Sequence, residues 1–175
     1  VGPTIAARRA VIEEIGGWPR LAQYLAEDFV LGSFAAQAGH GVILSSFVVE
    51  HRIGSQDLVQ NFAHRLRWNR STRRSRPAGY VGQIFTYPIP AALLLTAAAP
   101  ALWPILLPTA LLRAAAAGAV SGTVLNDPLC RRLWWLIPLQ DILSFAFWFL
   151  GLFGNTIVWR GRRYRLLRGG RFARE

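Results

Sequence analysis

Two short stretches of the chain contain residues whose side chains could carry out chemistry. The first is YLAEDF, which places Glu27 beside Asp28 in a chain with nine acidic residues against twenty basic ones. A well-placed carboxylate can accept the proton of a hydroxyl group while that group attacks a substrate. The two acids could instead only stabilise the positive end of a helix, an effect worth about 0.3–1 kcal/mol. The residues alone leave both interpretations open.

The second stretch, SQDLVQNFAHRLRWNRSTRR, predicts a helix with two different faces. Its predicted N-terminal cap involves Ser55 and Asp57. At roughly 100° per residue, one face is apolar and consists of Leu58, Val59, Phe62, Ala63 and Leu66. The opposite face carries His64, Arg67, Trp68 and Ser71. A helix that only fills a core needs no such second face, so this face predicts a binding site; an interfacial helix anchored by Arg67 and Trp68 is the alternative.

The elements around these stretches predict an α/β domain in residues 1–76. The stretch RRAVIEEIGG predicts a short helix that ends at Gly16 or Gly17. The stretch AEDFVLGSFAAQAGH predicts a second helix, which begins at the acid pair and ends near Gly39. The apolar stretch GVILSSFVVEH, Gly41–His51, predicts a buried strand. Helices that alternate with a strand are typical of a layered α/β domain.

Apolar runs dominate from about Gln83 onward and predict a transmembrane region in residues 77–175. The runs are Ile84–Leu107, Pro108–Leu125 and Leu133–Trp159. About 20 apolar residues suffice to cross a bilayer, although Arg113 interrupts the middle run. Because a carboxylate is costly inside a bilayer, Asp141 in the last run is predicted to pair with Arg113 or with an arginine beside the membrane. A position facing a lipid groove is the alternative for Asp141.

Arginine supplies all twenty basic residues, and the formal net charge is +11. Two dense groups, RLRWNRSTRRSR and RGRRYRLLRGGR, flank the apolar runs, as is typical of cytoplasmic anchoring. Both groups lie on one side of the membrane if the number of crossings is even, which would place the run around Arg113 in the interface or in a re-entrant turn. The second group alternates around Gly161 and predicts a small basic hairpin. The expected partner is therefore a membrane and not a nucleic acid.

The sequence offers little to a disulfide or to a metal ion. Its single cysteine, Cys130, excludes an internal disulfide, and no His, Cys or Asp spacing predicts a metal site. We expect His40 and His51 to be structural. Since the chain begins at Val1 and has no methionine, we expect it to be a fragment or a processed piece.

Taken in order, the stretches GPTIAARRAVIEEIGGW, YLAEDFVLG, AGHGVILS, HRLRW and WRGRRYRLL resemble the family-2 glycosyltransferases. The similarity is greatest to the C-terminal portion of the ceramide glucosyltransferase-like branch, which includes hopanoid-associated bacterial relatives. The resemblance implies the C-terminal part of a nucleotide-sugar glycosyltransferase domain of the α/β class, followed by α-helical transmembrane segments. It also implies an integral protein of the bacterial inner membrane with its catalytic part in the cytoplasm.

The resemblance assigns the acid pair and the turn before it to the substrate. Asp28 matches the catalytic base of the family, and Glu27 lies beside it among the substrate-binding residues. Gly16, Gly17 and Trp18 match the turn that shapes the acceptor-side loop in relatives. Simple termination of the preceding helix is the alternative for the two glycines.

The helix with two faces matches a Gln-x-x-Arg-Trp or Arg-x-x-Arg-Trp motif of the family. In that motif Arg67 would hold diphosphate oxygens through a charge-assisted fork. Trp68 would give the acceptor a flat aromatic surface. His64 departs from the usual Gln or Arg, although an imidazole can still donate a hydrogen bond to a ligand.

The implied reaction moves a hexose, glucose by the resemblance, from a nucleotide-diphosphate sugar to a lipid hydroxyl such as that of ceramide or a hopanoid. We expect Mg²⁺ or Mn²⁺ in the full-length enzyme, with its ligands in a donor-binding half upstream of this piece, which alone should be inactive. Two alternatives remain. One is a non-enzymatic membrane module that binds anionic lipid or a partner protein through its Arg clusters, and the other is a transporter element built around Arg113 and Asp141.

Overall fold

A computed structural model describes residues 4–47, 49, 57–125, 127–159 and 161–175 of the chain. The described part is mostly helical, with a three-stranded antiparallel sheet near the C-terminus. The chain divides into two compact units, one formed by residues 1–80 together with 151–175 and the other by residues 81–150. The C-terminal strands therefore group with the N-terminal helices.

The first unit contains four helices and the sheet. The helices are α1 (Arg9–Glu14), α2 (Gly17–Leu21), α3 (Glu27–Gln37) and α4 (Leu58–Ser75). The strands are β1 (Thr156–Trp159), β2 (Arg162–Leu166) and β3 (Phe172–Arg174), in the spatial order β1-β2-β3. A short helix, α5 (Pro77–Gly82), follows α4.

The two predicted helices around the acid pair, α1 and α3, are confirmed. Gly16 follows α1 with a φ of 101°, a left-handed conformation that glycine adopts readily. Gly39 follows α3 with a φ of 86°. The amides of Gly39 and His40 donate to the carbonyls of Ala36 and Ala35 at 3.1 and 3.0 Å, so α3 closes with the double hydrogen bond typical of a helix end at glycine.

A small apolar core holds the first three helices together. Its buried members are Ile15, Leu21, Val30 and Leu31, with Tyr24 and Phe34 packed against them. Arg20 covers this core, since its guanidinium lies 3.9 Å above the ring centroid of Phe34 and donates to the carbonyl of Ile15 at 2.8 Å. The start of α3, where the acid pair lies, therefore rests on a packed support.

The strand predicted at Gly41–His51 is wrong where the structure describes this stretch. Residues 41–47 and 49 form no strand, and the side chains of Ile43 and Leu44 are 90% and 80% exposed. A strand needs a neighbour to pair its amides and carbonyls, and in the described residues of this unit the strands pair only with one another near the C-terminus. Val48, Glu50 and His51 lie outside the described residues.

Helix α4 forms as predicted, but its buried face differs from the expectation. Asp57 caps the helix by accepting the amide of Gln60 at 2.7 Å, while Ser55 lies outside the described residues. The apolar face is exposed, with Leu58 and Val59 at 82% and 78%, whereas Ser71 on the polar face is buried. The helix therefore packs through its polar side.

The basic hairpin predicted around Gly161 is confirmed. Strands β1 and β2 pair with Trp159 opposite Arg162, and Gly161 has a φ of 74°. The third strand, β3, has no counterpart in the sequence prediction. It brings Phe172 against Trp159 and Tyr164, with ring centroids 5.4 to 6.4 Å apart among the three.

The second unit contains the apolar helices. In chain order the elements are a 3₁₀ turn (Gln83–Thr86), α6 (Pro88–Ala98), a 3₁₀ helix (Pro100–Ile105), α7 (Leu106–Ala119), a π-helical turn (Val120–Val124), α8 (Pro128–Arg132), a 3₁₀ turn (Trp134–Leu136) and α9 (Ile137–Gly151). Among the described residues, two continuous helices are long and apolar enough to cross a membrane, Pro100–Val124 and Trp134–Gly151. A third candidate is the pair Pro77–Thr86 and Pro88–Ala98, which is bent by 72°.

The first predicted span, Ile84–Leu107, is not one helix. It breaks before Pro88 and again before Pro100, because proline lacks an amide hydrogen and starts helices more easily than it continues them. The run around Arg113, expected in the interface or in a re-entrant turn, instead belongs to the longest candidate span. The broken or re-entrant geometry is found in the preceding bent pair.

The chain leaves the first unit after Tyr80 and returns to it at Gly151. The even number of crossings that the arginine distribution predicts stays a prediction, since the two continuous helices and the bent pair give two or three candidate spans among the described residues.

Asp141 pairs with Arg113 inside the second unit. The Nε atom of Arg113 donates to Oδ1 of Asp141 at 2.9 Å, and the Asp141 side chain is 3% exposed. The predicted structural pairing is thus confirmed. Each charge makes the other tolerable in apolar surroundings.

We expect Arg113→Leu to destabilise the protein by about 3–5 kcal/mol, because it leaves the buried carboxylate of Asp141 without its partner. The double variant R113L/D141L should recover most of the stability, since it replaces both charges with apolar groups. Thermal unfolding in detergent, followed by circular dichroism, measures both effects. A single variant as stable as the native protein would show that the pair contributes nothing.

Candidate active site

The acid pair occupies the first turn of α3. Glu27 is exposed and Asp28 is half-buried, and no side chain caps this helix at Ala26. The Oδ1 atom of Asp28 accepts the amide of Phe29 at 2.8 Å. Within the described residues Oδ2 of Asp28 takes part in no hydrogen bond, so it is available to an incoming hydroxyl. The placement also fits the alternative role at a helix N-terminus.

The turn at Gly16, Gly17 and Trp18 lies against the helix that carries the acid pair. Both glycines have positive φ, 101° and 71°, and a Cβ at Gly16 would lie 2.7 Å from Cδ of Arg20. Trp18 is the second residue of α2 and is 63% exposed. Because α1 and α2 both pack on α3, this turn holds an exposed indole on the same small core as Asp28.

His64, Arg67 and Trp68 share one face of α4, as predicted. The rings of His64 and Trp68 lie 5.0 Å apart, and Trp68 is 59% exposed. Arg67 is half-buried, and this burial lowers the pKa of its guanidinium. Among the described residues, no hydrogen bond or ion pair satisfies Arg67. A partly desolvated cation without a partner is costly, so an anionic ligand at this place would be stabilising.

Arg70, Arg73 and Arg74 of α4, which we call the arginine clamp, form hydrogen bonds within the chain. Arg70 donates from Nε to the carbonyl of Phe153 at 3.0 Å and from Nη1 to that of Thr156 at 2.8 Å. Arg73 donates to the carbonyls of Leu152 and Gly154. Arg73 and Arg74 both donate to Oδ1 of Asn155, from Nη2 at 2.9 Å and from Nε at 3.1 Å.

The arginine clamp explains why α4 packs through its polar side. Its partners follow the C-terminal end of α9, where carbonyls lack helical donors and attract cations. Burial, followed by repulsion from Arg74, lowers the pKa of Arg73. The clamp therefore binds the chain to itself, whereas Arg67 of the same helix is half-buried and makes no hydrogen bond among the described residues.

The structure does not join all the candidate residues directly. Asp28 lies on α3 and Arg67 on α4, and within the described residues no hydrogen bond or ion pair links them. Helix α4 and the loop that leads into α3 instead both contact the C-terminal segment, which we define as residues 152–159 and 161–175. Arg171, just before strand β3 of this segment, forms an isolated antiparallel bridge with Tyr24, shortly before the acid pair.

Sequence reasoning missed Asn155 and Gly170, through which that segment contacts α4 and the loop before α3. The available signals were weak: Asn155 follows a glycine within the last apolar run, and Gly170 belongs to a Gly-Gly pair. Glycine pairs mark turns in many sequences. Nothing local shows which distant helix such a turn will touch.

His40 has the structural role expected of it. Its Nε2 atom lies 2.8 Å from Oε2 of Glu14. In the part of the chain that the structure describes, no group of three His, Cys, Asp or Glu side chains could hold a metal ion. The residues described here therefore do not fit the Mg²⁺ or Mn²⁺ that the resemblance implies, and no step of the chemistry is assigned to a metal on this chain.

The candidate residues of the first unit thus include a carboxylate at a helix start, a half-buried guanidinium without a hydrogen bond among the described residues, and the exposed indoles of Trp18 and Trp68. The family model described as Glycosyl transferase family 21 matches residues 1–172. The chain belongs to this family, and it is therefore a glycosyltransferase sequence. This match supports the ceramide glucosyltransferase-like part of the motif resemblance, which had been grouped more broadly with family 2. No solved structure matches the chain.

Proposed function

We propose that this chain is the acceptor-side part of a membrane-bound, inverting glycosyltransferase of the ceramide glucosyltransferase-like type. It would help to move a hexose, glucose by resemblance, from a nucleotide-diphosphate sugar to the hydroxyl of a lipid such as ceramide or a hopanoid. Residues 1–76 form the C-terminal part of the catalytic domain in this proposal, and the Mg²⁺ or Mn²⁺ ligands belong to a donor-binding half elsewhere in the enzyme.

The chemistry assigned to Asp28 is a proton transfer coupled to a single displacement. The lipid hydroxyl oxygen attacks the anomeric carbon, the bond from that carbon to the diphosphate oxygen breaks, and the carboxylate takes the hydroxyl proton. The diphosphate leaves with the electron pair of the broken bond. The open Oδ2 of Asp28 and its place at a helix N-terminus, which stabilises negative charge, support this role.

The single observation that carries the proposal is the unpaired, half-buried guanidinium of Arg67. The leaving diphosphate is the group in this reaction that gains negative charge. A guanidinium fork binds phosphate oxygens in a bidentate manner, and fixed charge at a developing anion lowers the barrier. Trp68 on the next position of the helix offers an exposed aromatic surface to an apolar acceptor.

A lipid acceptor is favoured because the site belongs to a unit from which two candidate spans leave and return. A lipid hydroxyl is held near the membrane surface, and Tyr80 and Gly151, where the chain leaves and re-enters this unit, both lie against Asn69 of α4. The arginines around these ends favour the cytoplasmic side of a bacterial inner membrane.

The stereochemistry of the product tests this function. Membranes containing the intact enzyme are incubated with an α-linked nucleotide-diphosphate glucose and with ceramide or a hopanoid alcohol. A single displacement gives a β-linked glycolipid. The ¹H NMR coupling constant of the anomeric proton distinguishes this product from the α-linked one. An α-linked product would require a double displacement and would reject the role assigned to Asp28.

The non-enzymatic alternative, binding of anionic lipid through the Arg clusters, is less well supported. It assigns lipid binding to arginines near residues 70–76, yet Arg70, Arg73 and Arg74 donate to the protein's own carbonyls and to Asn155. The transporter alternative is weakened in the same way, because Arg113 and Asp141 pair with each other.

A further inference from the structure

The C-terminal segment contacts the loop that leads to the acid pair. The amide of Leu25 donates to the carbonyl of Gly170, and the amide of Phe172 donates to the carbonyl of Gln23, each at 3.3 Å. These two bonds surround an isolated antiparallel bridge between Tyr24 and Arg171. The loop just before Glu27 is thus fixed by the last residues of the chain.

The same few residues also contact α4. A 3₁₀ turn, Arg168–Gly170, packs against this helix. A Cβ at Gly170 would lie 2.4 Å from Oγ and 3.2 Å from Cα of Ser75. No side chain larger than that of glycine fits there without displacing α4 or the turn, so Gly170 touches one site element through its carbonyl and the other through its Cα.

The other end of the segment is attached to α4 by the arginine clamp. Asn155 accepts from Arg73 and Arg74 with one side-chain oxygen. The approach is close here too, since a Cβ at Gly154 would lie 3.0 Å from Nη2 of Arg70. The segment therefore meets α4 at two places and the acid-pair loop at a third.

From this arrangement we infer that the C-terminal segment is the positioning element of the site and that Gly170 and Asn155 are its positioning residues. The segment sets the distance between Asp28 on α3 and Arg67 on α4. The inference rests on the proposed function, in which these two residues act on the same substrate. Displacing reacting groups by about 1 Å can lower a rate a hundredfold. A change in the contacts that hold α3 and α4 at a fixed distance should therefore have a measurable effect on turnover.

Two neighbouring glycines give a matched test. Gly169 and Gly170 have nearly the same backbone conformation, with φ of 72° and 81°, but a Cβ at Gly169 would meet no atom within 4 Å. Alanine at either position carries a similar backbone cost, and only Gly170→Ala collides with Ser75. We expect Gly170→Ala to lower kcat for glycolipid formation about tenfold or more relative to Gly169→Ala in the intact membrane enzyme.

A second substitution tests whether the collision is the cause. Ser75→Ala removes the Oγ atom that a Cβ at Gly170 would meet first. That oxygen has no hydrogen-bond partner among the described residues, so its loss alone should cost little. The double variant G170A/S75A should recover part of the lost kcat, because the contacts with Cβ and Cα of Ser75 at 3.1 and 3.2 Å remain, whereas a turn that is strained without a collision would not be rescued.

A distance measurement separates positioning from chemistry. Spin labels at the exposed positions Gln37 on α3 and Thr72 on α4, in a Cys130→Ser background, report the spacing of the two helices by double electron–electron resonance. Gly170→Ala should shift or broaden this distance, and Gly169→Ala should not. An unchanged distance and an unchanged kcat in Gly170→Ala would overturn the inference. Turnover retained by Asp28→Asn would instead overturn the proposed function, and it would not affect the conclusion from the distance measurement.

Asn155 provides the deciding variants if Gly170→Ala does not insert into the membrane. Asn155→Asp keeps an oxygen for Arg73 and Arg74, whereas Asn155→Leu has similar size and keeps none. We expect Asn155→Leu to lower kcat and to broaden the α3–α4 distance while Asn155→Asp retains both native values. Equal behaviour of the two variants would reject the positioning role.

Discussion

Replacement of Asp28 by asparagine should lower the rate of glycolipid formation about a thousandfold, within the range that general-base catalysis contributes. Asparagine has nearly the same shape and still accepts the amide of Phe29, the bond that Oδ1 of Asp28 makes. It cannot take the proton of an attacking hydroxyl. The variant should therefore fold and enter the membrane as the native protein does, and the loss should fall on kcat.

Two further variants make the test of Asp28 specific. Asp28→Glu keeps a carboxylate but moves it by one methylene, so its rate should lie between those of the native enzyme and Asp28→Asn. Glu13→Gln removes an exposed charge that lies 4.0 Å from Arg9 on α1, and it should leave turnover unchanged. If Asp28→Asn keeps turnover within about tenfold of the native rate, the acid pair serves only the helix N-terminus.

The sequence predicted the local elements of the site well, because their signals are local. The helical period and the stop at Gly39 predicted α3, and alternation around Gly161 predicted the hairpin. The strand at Gly41–His51 failed for the opposite reason. Its apolar, β-branched composition fits a strand, but a strand exists only beside a partner that composition does not reveal.

The roles of the arginines could not be predicted for the same physical reason. Arg67, Arg70 and Arg73 lie within two turns of one helix and look equivalent in the sequence. The structure separates them through contacts about eighty residues away, since Arg70 and Arg73 meet the carbonyls after α9 and Arg67 does not. Whether a guanidinium binds a ligand or stabilises the fold depends on which groups the folded chain brings into contact with it.

Because Arg67 differs from the neighbouring arginines in its contacts, its replacement should have the second large effect on activity. We expect Arg67→Gln to lower kcat/KM for the nucleotide-sugar donor about a hundredfold, because two hydrogen bonds from a charged group to the diphosphate are lost at roughly 1.5 kcal/mol each or more. Arg67→Lys should give an intermediate loss, since lysine keeps the charge and lacks the planar fork. Initial rates at varied donor concentration measure both variants.

Arg65 supplies the matched control on the same helix. Its Nε donates to Oδ1 of Asn61 at 2.9 Å on the exposed side of α4, so Arg65→Gln should keep kcat/KM within about twofold.

Thermal stability should also distinguish Arg67 from the arginine clamp. Arg73→Gln removes hydrogen bonds to Leu152 and Asn155 and should lower the unfolding temperature. Arg67→Gln removes an unpaired, partly desolvated charge and should leave that temperature unchanged or raise it. A fall in stability without a fall in donor kcat/KM would place Arg67 among the structural arginines and remove the observation on which the proposed transfer depends.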